Sequence, residues 1–211
     1  MKIISVILAR GGSKGIPRKN LIDLNGFPLI YHSIKASLNS NVDETWVSSD
    51  DDEILKVSHS FGAKTLKRYE DTSNDYASSE SALLHFADNV EFDKLVFIQP
   101  TSPLIKSKDI NKGIVKTLDC DSVFSGYEEH WTGKWDLNLK PRGWSIESRP
   151  RRQDIPPIYI ENGAFYITSK TNLLSSKLRY SGKIDIVLMP FIRSFQIDTL
   201  NDLNLIRKIC Q

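Results

Sequence analysis

At 211 residues, 40% of them apolar and 26% charged, the chain is long enough to bury one substantial core and reads as a single globular unit spanning 1–211. Its formal net charge of +2 supplies no global basic field, which argues against nucleic acid or an anionic membrane as partner. Two cysteines, Cys120 and Cys210, make neither a disulfide framework nor a zinc site and suit a reducing, cytoplasmic setting.

The opening run "IISVILA" (Ile3 to Ala9) is continuous and β-branched, which predicts a strand covered on both faces of a parallel sheet. It is too short to span a bilayer and turns basic and Gly-rich at once. Strand signals follow at "ETWVSS", "AKTLKR", "KLVFIQ" and "DSVFSG". Between them lie the helical patterns "FPLIYHSIKASLN", "DDEILKVSHSFG" and "SSESALLHFADNV", the second opening on acids and closing at Gly62. This alternation predicts an open α/β sheet with its ligand at the carboxyl ends of the strands.

From Gly126 to Pro157 the pattern breaks into prolines, tryptophans and charges without sustained periodicity, which predicts an arm leaving the sheet over 126–157. "IYIENGAFYIT" and "DIVLMP" then read as strands, and "TLNDLNLIRKIC" as a closing helix with Thr199 and Asp202 in capping-box spacing. No repeat or linker divides the chain.

The stretch "ILARGGSKGIPRKN" gathers Arg10, Lys14, Arg18 and Lys19 with three glycines and no acid. A Gly-rich turn at a strand end lets backbone N–H groups approach phosphate oxygens, and cations neutralise the remaining charge. The P-loop Gly-Lys-Ser/Thr and the dinucleotide G-x-G-x-x-G are both absent, leaving a long basic loop suited to a triphosphate. The alternative is a solvated basic turn, against which stand the missing acids and the placed glycines.

That stretch resembles the N-terminal signature of the CMP-N-acylneuraminate synthetases, the cytidylyltransferases that activate sialic, legionaminic and pseudaminic acids. Four more blocks follow in the family's order: "RYEDTSNDYASS", "FIQPTSPL", "RRQDIPPIYIENGAFYI" and "FQIDTLNDL". The resemblance implies a three-layer, mononucleotide-binding (Rossmann-like nucleotidyltransferase) α/β fold. Its sheet is mixed and mainly parallel, with an arm that packs on a second subunit to form a homodimer.

It further implies that CTP lies over the first loop, with Arg10, Ser13, Lys14 and Lys19 on its phosphates. Asn20, Arg68, Ala77 and Ser79 fall where the family reads cytosine; Tyr76 departs from the smaller residue usual beside the base. Gln99, Asn162, Tyr166 and Arg152 would face the acceptor, Arg152 offering a guanidinium fork to a carboxylate, and Lys134 would reach toward a neighbouring site from the arm. Read alone, Gln99 is a strand-end amide before a turn and Arg68 an ordinary surface arginine. The catalytic set is Arg10, Lys19 and Asp198, and the cofactor Mg²⁺ or Mn²⁺.

Asp198 stands where a carboxylate would hold the metal against phosphates, although an acid before a helix is also common. The family shows Asp-Ile-Asp here, whereas this chain has Gln196-Ile197-Asp198, which puts Gln196 in doubt as a metal ligand. The acids Asp50 to Glu53 read as a helix start or as support for a second metal. The expected activity is CMP transfer from CTP to a nonulosonic acid with release of pyrophosphate. A Kdo-type cytidylyltransferase and a non-catalytic protein that binds CTP or a CMP-sugar are the alternatives.

Overall fold

A computed structural model describes residues 1–13, 15–68 and 78–210. In chain order its elements are β1 (Ile3–Leu8), β2 (Asp23–Leu24), β3 (Phe27–Pro28), α1 (Leu29–Leu38), β4 (Glu44–Ser49), α2 (Asp52–Ser60), β5 (Lys64–Lys67) and α3 (Ser79–Asn89). There follow β6 (Lys94–Ile98), α4 (Ser107–Lys116), β7 (Ser122–Glu129), β8 (Lys134–Trp135), β9 (Pro141–Arg142), β10 (Ile158–Ser169), α5 (Lys170–Ser176), β11 (Ile184–Leu188) and α6 (Leu200–Ile209).

Seven strands form one sheet in the order β11-β7-β10-β6-β1-β4-β5. β10 runs antiparallel to both its neighbours, and the other pairings are parallel. The alternation of β1 explains the layering, because successive side chains point to opposite faces. Ile3 and Ile7 pack with Ile30 and Ile34 of α1, Ile54 of α2 and Ile110 of α4, while Ile4 and Val6 pack with Leu83 and Phe86 of α3 and Leu173 of α5. The expected three-layer, mainly parallel α/β sheet is therefore the fold.

Helix starts follow the sequence cues. The Asp51 carboxylate accepts from the N–H groups of Glu53 and Ile54 and caps α2, and Thr199 with Asp202 forms the capping box of α6. The helix expected from Phe27 begins instead at Leu29, because Phe27 and Pro28 pair with β2 as a short hairpin. The sequence reading passes over α4 and α5: "SKDINKGIVK" is polar and holds a glycine, and α5 is barely two turns.

A third apolar cluster fixes the basic loop: Ile16 is buried with Leu24, Leu29, Ile197, Leu203 and Ile206, so α6 and the segment before it clamp the loop from below. Gly126 lies inside β7, which continues to Glu129 opposite Ile158 at the start of β10, so the excursion begins beyond the sheet. It holds the β8–β9 pair and a group of rings in which Trp144 meets Trp131 and Trp135 edge-on, with Arg149 over Trp131 and Trp144. Among the described residues no helix is long and apolar enough to cross a membrane.

Candidate active site

Ties to distant segments hold the loop after β1. The Gly11 N–H donates to Asp50 Oδ1 at 2.9 Å, the Asn20 side-chain amide donates to the Arg10 carbonyl at 2.9 Å, and Lys19 Nζ lies 2.8 Å from Asp198 Oδ1. Gly15 is required by close approach: a Cβ there would stand 2.3 Å from the Asp198 carbonyl oxygen. Arg10, Ser13, Lys19 and Asn20 thus share one loop across the carboxyl end of β1, pinned on one side to the β4–α2 turn and on the other to the start of α6. Arg18 leaves the cluster and pairs with Glu53 at 2.6 Å. Lys14 lies outside the described residues.

Arg68 joins this loop from the end of β5, where its N–H donates to the Ser49 carbonyl at 2.8 Å. It is 5% exposed, and among the described residues its Nε has no hydrogen-bond partner; Asn20 Oδ1 is buried in the same condition. Burial pulls the Arg68 guanidinium below its usual pKa, Asp50 pushes it up, and Arg10 pushes it down. Buried polar groups left unpaired are costly, and at a basic loop on the strand ends a ligand can complete their bonding. Far from being an ordinary surface arginine, Arg68 is a buried cation in the expected site. Ser79 opens α3, with Ser78 rather than Ser79 accepting the capping bond from the Ser81 N–H. Ala77 and Tyr76 fall outside the described residues.

On the β6–β10 side, Gln99, Gly163 and Gln196 converge. A Cβ on Gly163, whose φ is +68°, would stand 2.3 Å from Gln196 Nε2 and 2.9 Å from Gln99 Oε1. Only glycine lets both glutamine side chains come this close to the bulge in β10. Asn162 is buried beneath them: its amide oxygen accepts from Ser125 Oγ and the Ala164 N–H, its nitrogen donates to Ser194 Oγ, and its carbonyl accepts from Gln196 Nε2. In this structure the Asn162 side chain holds the bulge in shape.

Tyr166 stacks on Phe97 and donates to Glu161, and burial, then the Glu161 carboxylate, raises its pKa. Over these two rings lies the Arg179 guanidinium, held by both oxygens of Glu80 at 2.6 and 3.0 Å. Arg152 sits exposed in a short 3-10 turn of the excursion, with no polar tie among the described residues. Lys134 pairs with Glu129 at 2.8 Å.

The donor set for a divalent cation is one carboxylate. Asp198 is 65% exposed beside Lys19, while Gln196 turns its amide nitrogen to the Asn162 carbonyl and receives a long 3.5 Å contact from Thr101. Among the described residues no three His, Cys, Asp or Glu side chains gather as a metal cage. A magnesium ion bound largely through substrate phosphates needs only one or two protein carboxylates, so Asp198 fits it and Gln196 as oriented does not.

The sequence reading missed the tether from Asp50, the Glu80–Arg179 pair and Glu161. Their signals were an acid run at a strand end and a charged residue in an aromatic setting, neither specific on its own. The arrangement brings three cations, Arg10, Lys19 and Arg68, and one exposed carboxylate to the carboxyl ends of β1, β4 and β5. That end of a parallel sheet is suited to a nucleoside triphosphate, and the amides of Gln99 and Gln196 stand beside Gly163 at the neighbouring end of β6 and in β10.

A cytidylyltransferase family model matches residues 4–211. The chain is 38% identical to N-acylneuraminate cytidylyltransferase B of Danio rerio, over 92% of this chain and 48% of that protein. It is 33% identical to a pseudaminic acid cytidylyltransferase of Campylobacter jejuni, over 96% of this chain and 94% of that one. The chain spans about half the length of the Danio rerio relatives it matches. A solved CMP:2-keto-3-deoxy-manno-octonic acid synthetase complexed with CTP has a TM-score of 0.74 at 21% identity, covering 100% of this chain and 98% of that one, which is a likeness of fold. The resemblance carried by the five sequence blocks is borne out.

Proposed function

The chain belongs to the cytidylyltransferase family, and we propose that it transfers CMP from CTP to a nonulosonic acid of the sialic, legionaminic or pseudaminic type, releasing pyrophosphate. The observation that carries this reading is Arg68, a buried cation with an unpartnered Nε beside the basic loop and the unpartnered Asn20 oxygen. A pyrimidine with a carbonyl and an amine edge supplies the acceptor and donor these two groups lack. The printed names of both relatives support the choice of nucleotide and acceptor class.

In this reading a hydroxyl oxygen of the acceptor attacks the α-phosphorus of CTP. A new P–O bond forms as the bond to pyrophosphate breaks, and the hydroxyl proton leaves to solvent. Little covalent work falls to the protein, so fixed charge does most of it. Arg10 and Lys19 neutralise the phosphates, and the bond from Lys19 to Asp198 keeps the ammonium aimed across the loop. Gln99 and Tyr166 line the acceptor side, and Arg152 comes to the acceptor carboxylate from the excursion. Mg²⁺ or Mn²⁺, held by Asp198 and the phosphates, would supply further charge neutralisation on the leaving oxygens.

The second reading, a protein that binds CTP or a CMP-sugar without turnover, rests on Gln196 standing in place of a carboxylate. Incubation with CTP, Mg²⁺ and a panel of nonulosonic acids and Kdo, with pyrophosphate as readout, separates the two. Release with a nine-carbon acid supports the transferase, whereas tight CTP binding with no release for any acceptor supports the binder. We further propose a homodimer joined through the excursion, acting in the cytoplasm. Exposed Trp135, Leu137, Leu139 and Ile146 support the first, and two unpaired cysteines the second.

A further inference from the structure

We propose that Asp50, at the turn between β4 and α2, is a positioning residue that sets nucleotide selectivity by aiming Arg68 and anchoring the loop that carries Arg10; this rests on the CTP reading above. Asp50 belongs to an acid run whose next member, Asp51, caps α2 with Oδ1 and lies 3.6 Å from Arg18 with Oδ2, and whose last, Glu53, pairs with Arg18. Asp50 instead turns toward the site. It takes the Gly11 N–H at 2.9 Å, one residue after Arg10. Arg68 arrives next to it, because the Arg68 N–H is bonded to the carbonyl of Ser49, Asp50's own neighbour.

Two arginines that repel each other therefore stand near one carboxylate, and Asp50 opposes the lowering of Arg68 by burial and by Arg10. A buried guanidinium, 5% exposed, stays charged, so an anion nearby lowers the cost of burying it and favours one direction of its fork. The consequence is opposite in sign to simple electrostatics. Removing a negative charge beside a triphosphate site would by itself tighten nucleotide binding. If Asp50 positions the two arginines, its neutralisation weakens binding, and weakens CTP more than UTP, because in the CTP reading the donor-only Arg68 would meet the lone pair of cytosine N3, where uracil has an N–H.

The experiment is calorimetric titration of CTP and of UTP into wild type, Asp50→Asn, Asp50→Ala and Asp52→Asn, with a thermal melt of each. Asn keeps an acceptor for the Gly11 N–H and removes only the charge. Asp52, exposed and paired with Lys67, is the control from the same acid run. We expect Asp50→Asn to lose roughly tenfold in CTP affinity, the scale on which supporting partners of a site usually act. We also expect a narrowed preference for CTP over UTP, near-native melting, and an unchanged Asp52→Asn. Equal or tighter CTP binding with unchanged preference overturns the proposal. So does a loss of binding that only tracks a loss of folded protein, which would assign Asp50 to stability alone. A wild type that binds neither nucleotide sinks the CTP reading itself, a result visible before any variant is measured.

Discussion

Lys19 and Asp198 are 179 positions apart in the chain and 2.8 Å apart in the fold. One belongs to the loop leaving the first strand and the other to the turn entering the last helix, so their contact closes the site. Lys19 is 15% exposed and Asp198 65%, and an ion pair open to solvent on one side adds no more than about 1 kcal/mol to stability. Replacing Lys19 by Ala is therefore expected to leave thermal melting nearly unchanged while turnover falls by roughly 10² to 10³, the usual loss for one fixed transition-state donor. Parallel losses of folded protein and activity would make Lys19 a structural residue.

Restoring a carboxylate by Gln196→Asp tests the metal. The change gives Asp198 an acidic neighbour, so half-maximal activity is expected at lower Mg²⁺. It also removes the bond to the Asn162 carbonyl, at a cost of about 1 kcal/mol. Steady-state rates across a magnesium series, with a melting curve for each protein, check both halves. An unchanged metal requirement would remove position 196 from the metal site.

The Glu80–Arg179 bridge gives the fold an acid-sensitive tie. The hydrogen bond from Arg179, then its charge, holds the Glu80 pKa below its ordinary 4.5, against the effect of burial. The unfolded chain therefore takes up the proton first. The bridge stabilises fully above pH 4.5, and its contribution is lost as pH falls from there through the lower folded value. Glu80→Gln is expected to melt lower than wild type at pH 7, with the gap closing toward pH 3. A gap constant across that range would show that the carboxylate charge is not what matters.

The excursion between β7 and β10 presents Leu137 fully exposed and Leu139 nearly so at the tip of a two-stranded pair. Single exposed leucines are ordinary, but two beside Trp135 on one projection suit a subunit contact. Sedimentation is expected to give a dimer, and Leu137→Asp with Leu139→Asp a monomer of reduced activity. A wild type that sediments as a fully active monomer at dilution would refute the arm as an interface.

The strands and first helices were legible because buried β-branched runs and end caps act locally, as "IISVIL" and the Thr199–Asp202 box show. The loop's cations were legible as an acid-free cluster. What the sequence hid was pairing across the fold: that Gly15 abuts Asp198, that Gly163 admits both Gln99 and Gln196 beside it, and that Asp50 accepts from Gly11 while Asp51 caps a helix. Those relations depend on which strand ends are neighbours in the sheet, and no local period encodes that. α4 was missed although Ile110, Gly113 and Ile114 mark one face at helical spacing, because the rest of its sequence is polar and a glycine lowers its helix propensity.

The most direct test of the account is a crystal of this protein soaked with CTP and magnesium. Triphosphate density is expected within reach of Arg10, Ser13 and Lys19, with the cytosine edge against Asn20 and Arg68. Nucleotide density elsewhere on the protein, with that loop in contact with none of it, would contradict it.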